Sequence, residues 1–397
     1  MNPGKLVLGI LFVAALPTYS IAHPAQLVAA TANLQLDGRF QINATFDVLA
    51  FALNDTPAAI DDASMNELLD GPREVLESRL AESRARFLRS FAVVCQTRAS
   101  PLPGAQLVHA QTIEFPSVDE VYRRSDSARR SMRLPIIAEA TLAGQLPRGT
   151  TSIAFRFPEA MGPMVLTVQR PDFEPYSEPV EAGQSSSTLA VNVGGAPQSD
   201  EMALASRDPS RFEAALKYLH MGFGHIVPAG PDHILFVLGL FPLSTRLRPL
   251  LWQVTAFTVA HSITLALALY GIVRPPAMIV EPLIAVSIAF VAVENLFTTD
   301  MKPWRPIVVF GFGLIHGLGF ASVLSAAGLS RAQFAPALLS FNIGVELGQL
   351  AVIALAFAAV GWWQRRAWYR WIIVLPTSAA IAAVAVCWTI QRVYGAI

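Results

Sequence analysis

The chain of 397 residues is 53% hydrophobic and only 15% charged, with equal numbers of acidic and basic side chains and a mean hydropathy of +0.46. Soluble proteins carry about 25% charged residues, so this balance excludes an ordinary soluble fold for the whole chain. Zero net charge without a basic tract excludes a nucleic-acid partner. The two cysteines, Cys95 and Cys387, lie in different halves, which excludes a disulfide framework or a paired-thiolate metal motif.

The chain opens with the grammar of a signal peptide over residues 1–22. Lys5 supplies the positive region, Leu6 to Leu16 the apolar region, and Ser20-Ile21-Ala22 a small-x-small cleavage site. The apolar region is short for a bilayer crossing, which needs about 20 residues. Cleavage after Ala22 would make His23 the mature N-terminus.

Residues 23–205 read as an extracytoplasmic β-rich domain. Gln26 to Leu53 contains Leu34-Gln-Leu-Asp and Gln41-Ile-Asn-Ala-Thr-Phe-Asp-Val, which alternate like half-buried strands. Further strands are predicted at Phe91–Gln96, Leu107–Phe115, Ile136–Leu142, Thr151–Phe157, Met164–Val168 and Thr188–Val193, punctuated by Pro and Gly. The Leu, Val and Phe spacing from Ala63 to Phe87 predicts an amphipathic helix. The expected fold is a β-sandwich with a helical insertion. The turn at Gly194-Gly-Ala-Pro is expected to start the linker to the next domain.

Residues 206–397 are expected to form a transmembrane helical bundle of about six spans. The apolar runs cover about 226–243, 250–272, 277–298, 306–327, 334–361 and 371–390. Arg246, Arg248, Lys302, Arg305, Arg365, Arg366 and Arg370 fall on one set of connections, against Arg274, Arg331 and Arg392 on the other. The positive-inside rule puts the first set in the cytoplasm. The signal peptide separately puts the β-rich domain outside, in a multi-pass protein of the plasma (inner) membrane.

Ionisable groups inside spans are costly and usually functional. Here they are His220, His225, Asp232 and His233 around the first span, His261 and Ser262 in the second, and Glu281, Glu294 and Asn295 in the third. His316 follows in the fourth, and Asn342, Glu346 and Gln349 form an i, i+4, i+7 stripe in the fifth. His225 and Asp232 share a face if their stretch is helical, but Pro228 and Gly230 equally allow a broken or re-entrant entry. Gly344 and Gly348, and the glycines around His316, allow close helix packing. Imidazole with carboxylate or carboxamide oxygen suits a borderline divalent ion such as Ni²⁺, Zn²⁺ or Cu²⁺.

At these residues the chain resembles the HupE/UreJ family, in its branch with a long extracytoplasmic domain. The resemblance rests on His225-Ile-x-x-x-Gly-Pro-Asp-His-Ile-Leu-Phe, Phe257-Thr-Val-Ala-His-Ser-Ile-Thr-Leu and Val280-Glu-Pro-Leu-Ile-Ala-x-Ser-Ile with Glu294-Asn. It continues in Phe312-Gly-Leu-Ile-His-Gly-Leu-Gly-Phe-Ala and Phe341-Asn-Ile-Gly-Val-Glu-Leu-Gly-Gln. It implies a nickel-permease-like function, with His225, Asp232 and His233 matching a His-x5-Asp-His motif. Six residues rather than five separate the first two here. The resemblance also points to Glu294 and Glu346 as the carboxylates that matter.

The leading expectation is a permease for a divalent transition metal. His225, Asp232, His233, His261, His316 and Glu346 are its ligands, and His220, Glu294, Asn342 and Gln349 its path. The competing expectation is an intramembrane zinc hydrolase with Asp232 or Glu346 as general base. A third is a copper-binding brace of His23 and His109 on the β-rich domain. Expected partners are the bilayer, the metal ion, and an extracytoplasmic metallochaperone or other protein on that domain.

Overall fold

The computed structural model describes residues 28–54, 62–97, 106–131, 136–171, 173–194, 210–243, 247–273, 276–300, 302–325 and 331–394. The expected signal peptide, His23 and most of the linker after Gly194 lie outside the described residues. The chain divides into two compact units, one of Gln26–Tyr218 with Val323–Ala337, the other of Leu219–Ser322 with Leu338–Ile397.

The first unit is β-rich. Its elements are β1 (Val28–Leu34), β2 (Arg39–Asp47), α1 (Val48–Leu53), α2 (Asp62–Asp70), α3 (Arg73–Ser90), β3 (Ala92–Thr97), β4 (Gln106–Val108) and β5 (Thr112–Glu114). Then follow α4 (Val118–Ser131), β6 (Ile137–Gln145), β7 (Thr150–Arg156), β8 (Met164–Arg170), β9 (Phe173–Val180) and β10 (Leu189–Ala190). Six strands form one sheet in the order β5-β6-β2-β1-β8-β9, and four form a second in the order β10-β7-β3-β4. Only the β1/β8 pair is parallel among these ladders.

Strand alternation decides which residues meet. On β2, Phe40, Ile42, Ala44 and Phe46 are buried while Arg39 and Gln41 face solvent. They join Ala30, Ala32, Ala140 and Leu142 of the same sheet and Val93, Ile153 and Phe155 of the other in one core. Phe46, Phe51, Phe87 and Phe115 close part of it as a ring cluster with centroids 5.2–6.3 Å apart.

Several expectations change here. The strand expected at Leu34–Asp37 lies earlier, as β1, and the one expected over Leu107–Phe115 is split into β4 and β5. The strand expected over Gln41–Val48 ends at Asp47 and helix α1 follows, because the Asp47 carboxylate accepts from the Leu49 and Ala50 amides at 3.0 and 3.2 Å and caps a helix start. The helix expected over residues 63–87 is split into α2 and α3 at Gly71-Pro72, where proline resets the backbone. On α3, Leu76, Leu80, Ser83 and Phe87 form the buried face.

The second unit holds most of α5 (Arg211–Ile226), α6 (Pro231–Leu240), α7 (Leu247–Leu269), α8 (Ala277–Phe297), α9 (Arg305–Ser325), α10 (Arg331–Val360) and α11 (Leu375–Tyr394), with the start of α5, the end of α9 and the start of α10 counted in the first. A π-helical turn, Arg370–Val374, leads into α11. Burial is inverted relative to a soluble helix. Along α8 the exposed stripe is Ile279, Leu283, Val286, Phe290 and Val293, whereas the buried side carries Ser287 and Asn295. That pattern belongs in lipid, which leaves polar groups only the bundle interior.

The number of spans is lower than expected by helix length alone. Among the described residues, four helices are long and apolar enough to cross a membrane. The pair α5/α6, bent by 71°, makes a fifth if it counts as one span, and the apolar segment Arg305–Phe320 of α9 is shorter.

Candidate metal centre

The break between α5 and α6 creates the site. Gly230 is required there, because a Cβ would fall on the His225 carbonyl, and Pro231 starts α6 with φ already suited to a helix. The 71° bend turns His225, in the last turn of α5, toward His233, in the first turn of α6. Their ring centroids are 4.8 Å apart.

Glycines bring the other two rings in. A Cβ on Gly313 would meet the Phe257 carbonyl and Ala260, and one on Gly317 the His261 backbone and Thr264, so α9 lies directly on α7. On the opposite side, Gly222, Gly344 and Gly348 bring α5 and α10 into backbone contact. His261 of α7 then sits 5.9 Å from His233 and 6.2 Å from His225, and His316 of α9 sits 5.1 Å from His233. The four imidazoles form one contiguous group around His233.

The group is walled by rings. Phe320 lies 4.2 Å and Phe341 5.7 Å from His225, and Phe257 stacks on His261 at 6.1 Å. Phe257 and Phe236 flank His316 at 5.0 and 5.2 Å. Within this wall His225 Nε2, His233 Nε2, both nitrogens of His261 and His316 Nδ1 are buried without a hydrogen-bond partner. Buried polar atoms are nearly always paired, and here the unpaired ones are concentrated on four neighbouring rings. Among the described residues no three His, Cys, Asp or Glu side chains converge closely enough to hold an ion as they stand. The rings are neighbours rather than a finished coordination shell, and an ion would have to turn them.

The other expected site residues have partners of their own. Asp232 takes both carboxylate oxygens to Arg392 Nη2 at 3.0 Å. Arg392 also donates to the Glu281 carbonyl. The charge count takes Arg392 with the connections; it is part of α11 and holds the acid of the motif. Glu294 pairs with the fully buried Arg305 at 3.4 Å, and Arg305 donates to Asn295 at 3.0 Å. Arg305 was read as a loop charge, so its burial is a correction. A cation beside an amide and an acid on the preceding helix was the available sequence signal.

Glu346 accepts from the Thr255 hydroxyl at 2.7 Å, and Gln349 from Thr258 at 3.0 Å, forming a polar seam between α7 and α10. Asn342 bonds back to the Leu338 carbonyl of its own helix, as Ser262 does to Thr258. His220 is exposed. In the β-rich unit His109 is exposed and its Nδ1–H donates to the Phe91 carbonyl at 3.0 Å. Its expected partner His23 is not among the described residues.

The comparisons with known proteins fall on this half of the chain. Residues 199–392 match the family profile described as HupE / UreJ protein. No curated protein and no solved structure matches the chain. The match spans the broken helix pair, all four histidine-bearing segments and the Asp232–Arg392 and Glu294–Arg305 ion pairs, and over residues 199–392 the chain belongs to the HupE/UreJ family, as a multi-pass membrane protein.

Proposed function

We propose that the chain is a permease for a divalent transition-metal ion, with His225, His233, His261 and His316 as the cargo site. The observation that carries this reading is the group of unpartnered imidazole nitrogens buried on four different helices. Imidazole is a good donor for Ni²⁺, Co²⁺, Zn²⁺ and Cu²⁺ alike, and the family's association with nickel and cobalt transport supports the same class. A site whose rings must turn to bind is also suited to release, as transport demands.

Around this centre the reading extends as follows. The α5/α6 pair and α9 are taken as crossings, giving six, with the β-rich unit extracytoplasmic behind a cleaved signal peptide. Asp232–Arg392 stands on the outer approach and Glu294–Arg305 on the inner one. Along α8 the outer contact is at Glu281, the histidine layer at Ser287 and the inner contact at Asn295. At 1.5 Å per residue these contacts spread over about 21 Å. Glu346 and Gln349 line the α7/α10 seam beside the route.

The test is uptake of Ni²⁺, Co²⁺, Zn²⁺ and Cu²⁺ into proteoliposomes by wild type and His233→Gln. His233→Gln should abolish saturable uptake of the preferred ion. Uptake that survives His233→Gln overturns the assignment. Tightly held zinc without flux would move the site to the hydrolase reading.

A further inference from the structure

Ser287 lies on α8 with its side chain fully buried. Its hydroxyl oxygen is 2.6 Å from the Ile284 carbonyl and 3.0 Å from His316 Nε2. A serine hydroxyl has one proton and two lone pairs. Two oxygens 2.6 Å apart need a proton between them, and a carbonyl oxygen can only accept. The Ser287 proton is therefore committed to Ile284, and toward His316 the hydroxyl must accept. His316 then carries its own proton on Nε2, and the lone pair is left on Nδ1. Nδ1 is the nitrogen of that ring found buried without a partner, and the ring abuts His233 at 5.1 Å.

From this proton count we propose that Ser287 is a positioning residue for the cargo site. It holds His316 as the Nε2–H tautomer and so offers Nδ1 as a ready donor. The proposal rests on the permease reading and specifies how one ligand of that site is set. An isolated imidazole exchanges its proton between the two nitrogens, and only a fixed partner on one side selects which is free to bind. Partners of this kind on metal-binding imidazoles change affinity by about 10- to 100-fold when removed. Ser287 also donates within its own helix, so its oxygen is held by the α8 backbone and cannot rotate to become a donor to the ring without breaking a short bond. α8 and α9 meet again one turn along, where Gly319 stands against the Ile284 side chain.

The experiment uses full-length protein in nanodiscs with ¹⁵N-labelled histidine, metal-free, the His316 signals being assigned by their loss in His316→Gln. Wild type should show a protonated Nε2 and an unprotonated Nδ1 on His316. Ser287→Ala should show both tautomers, and Ser287→Thr, which keeps the hydroxyl, should restore the wild-type pattern. Ser287→Cys, similar in size but a poor hydrogen-bond partner, replaces the threonine comparison if the extra methyl disturbs folding, and should behave like Ser287→Ala.

The same proteins are then titrated with Ni²⁺, Co²⁺, Zn²⁺ and Cu²⁺ in turn. Ser287→Ala should bind about 10- to 100-fold more weakly than wild type. A wild-type His316 protonated on Nδ1 overturns the proposal. So does a Ser287→Ala protein that binds as tightly as a metal-binding wild type, and in that case the permease reading stands. A wild type that binds none of these four ions overturns the permease reading and the ligand role together, whatever the tautomer.

Discussion

An imidazole sealed among phenyl rings with both nitrogens idle is a poor choice for stability, and His261 is one: it is fully buried and neither nitrogen has a partner. Leaving such groups unpaired costs about 1–3 kcal/mol each, whereas a leucine of similar volume would have no polar atom to strand. The expected result for His261→Leu is therefore a metal-free protein more stable by about 1–3 kcal/mol that has lost saturable metal uptake. Thermal unfolding in detergent and proteoliposome uptake measure the two effects. A variant that loses stability and keeps uptake would show the ring to be packing. At this scale the sequence was informative about residue type and silent about partners. His225, His233, His261 and His316 stand out as polar residues in apolar runs. That Asp232 is held by Arg392, 160 positions away, could not be read, because charge pairing across helices depends on rotation and depth rather than on spacing.

At the scale of helices, bilayer length makes the elements legible and close contact decides how they pack. Apolar runs of about 20 residues have one stable form in lipid, so α7, α8, α10 and α11 fall close to where the runs do. The first run was different. Its Pro228 and Gly230 left a straight and a broken helix open, and the break is what lets His225 meet His233. In the β-rich unit β9 was missed because Pro175 and Pro179 argue against a strand, and it lies at a sheet edge, where proline is tolerated. The glycines of α9 are alike in sequence but not in place. A Cβ at Gly317 would strike the His261 backbone, while one at Gly311 meets nothing within 4 Å. Gly317→Ala should therefore cost about 1–3 kcal/mol by forcing α9 from α7, with weakened metal binding. Gly311→Ala should stabilise by about 0.5–1 kcal/mol, as expected for a free helical site. Equal effects of the two substitutions on detergent melting would contradict this packing.

For the whole molecule, the two units set separate limits on pH. Metal binding to imidazole requires a nitrogen without its proton, so uptake at fixed metal should weaken toward acid pH. The β-rich unit has an alkaline limit of different origin. Burial raises the Cys95 thiol above its ordinary range, and burial with the nearby Glu178 raises the Tyr176 phenol. In the unfolded chain these groups ionise near about 8.5 and 10. Above those values the unfolded state releases protons that the folded state retains, so the contribution to stability is complete below the unfolded pKa and declines as pH rises. Each group should take away up to about 1.4 kcal/mol per pH unit. Between about pH 10 and pH 11, wild type should lose about 1 kcal/mol more than Tyr176→Phe, which has no proton to lose. Pulse proteolysis of the full chain in urea, read on fragments of the β-rich unit, measures that difference. Identical pH slopes would mean that the phenol ionises in the folded unit as readily as in water, and that Tyr176 is not buried beside Glu178 as described.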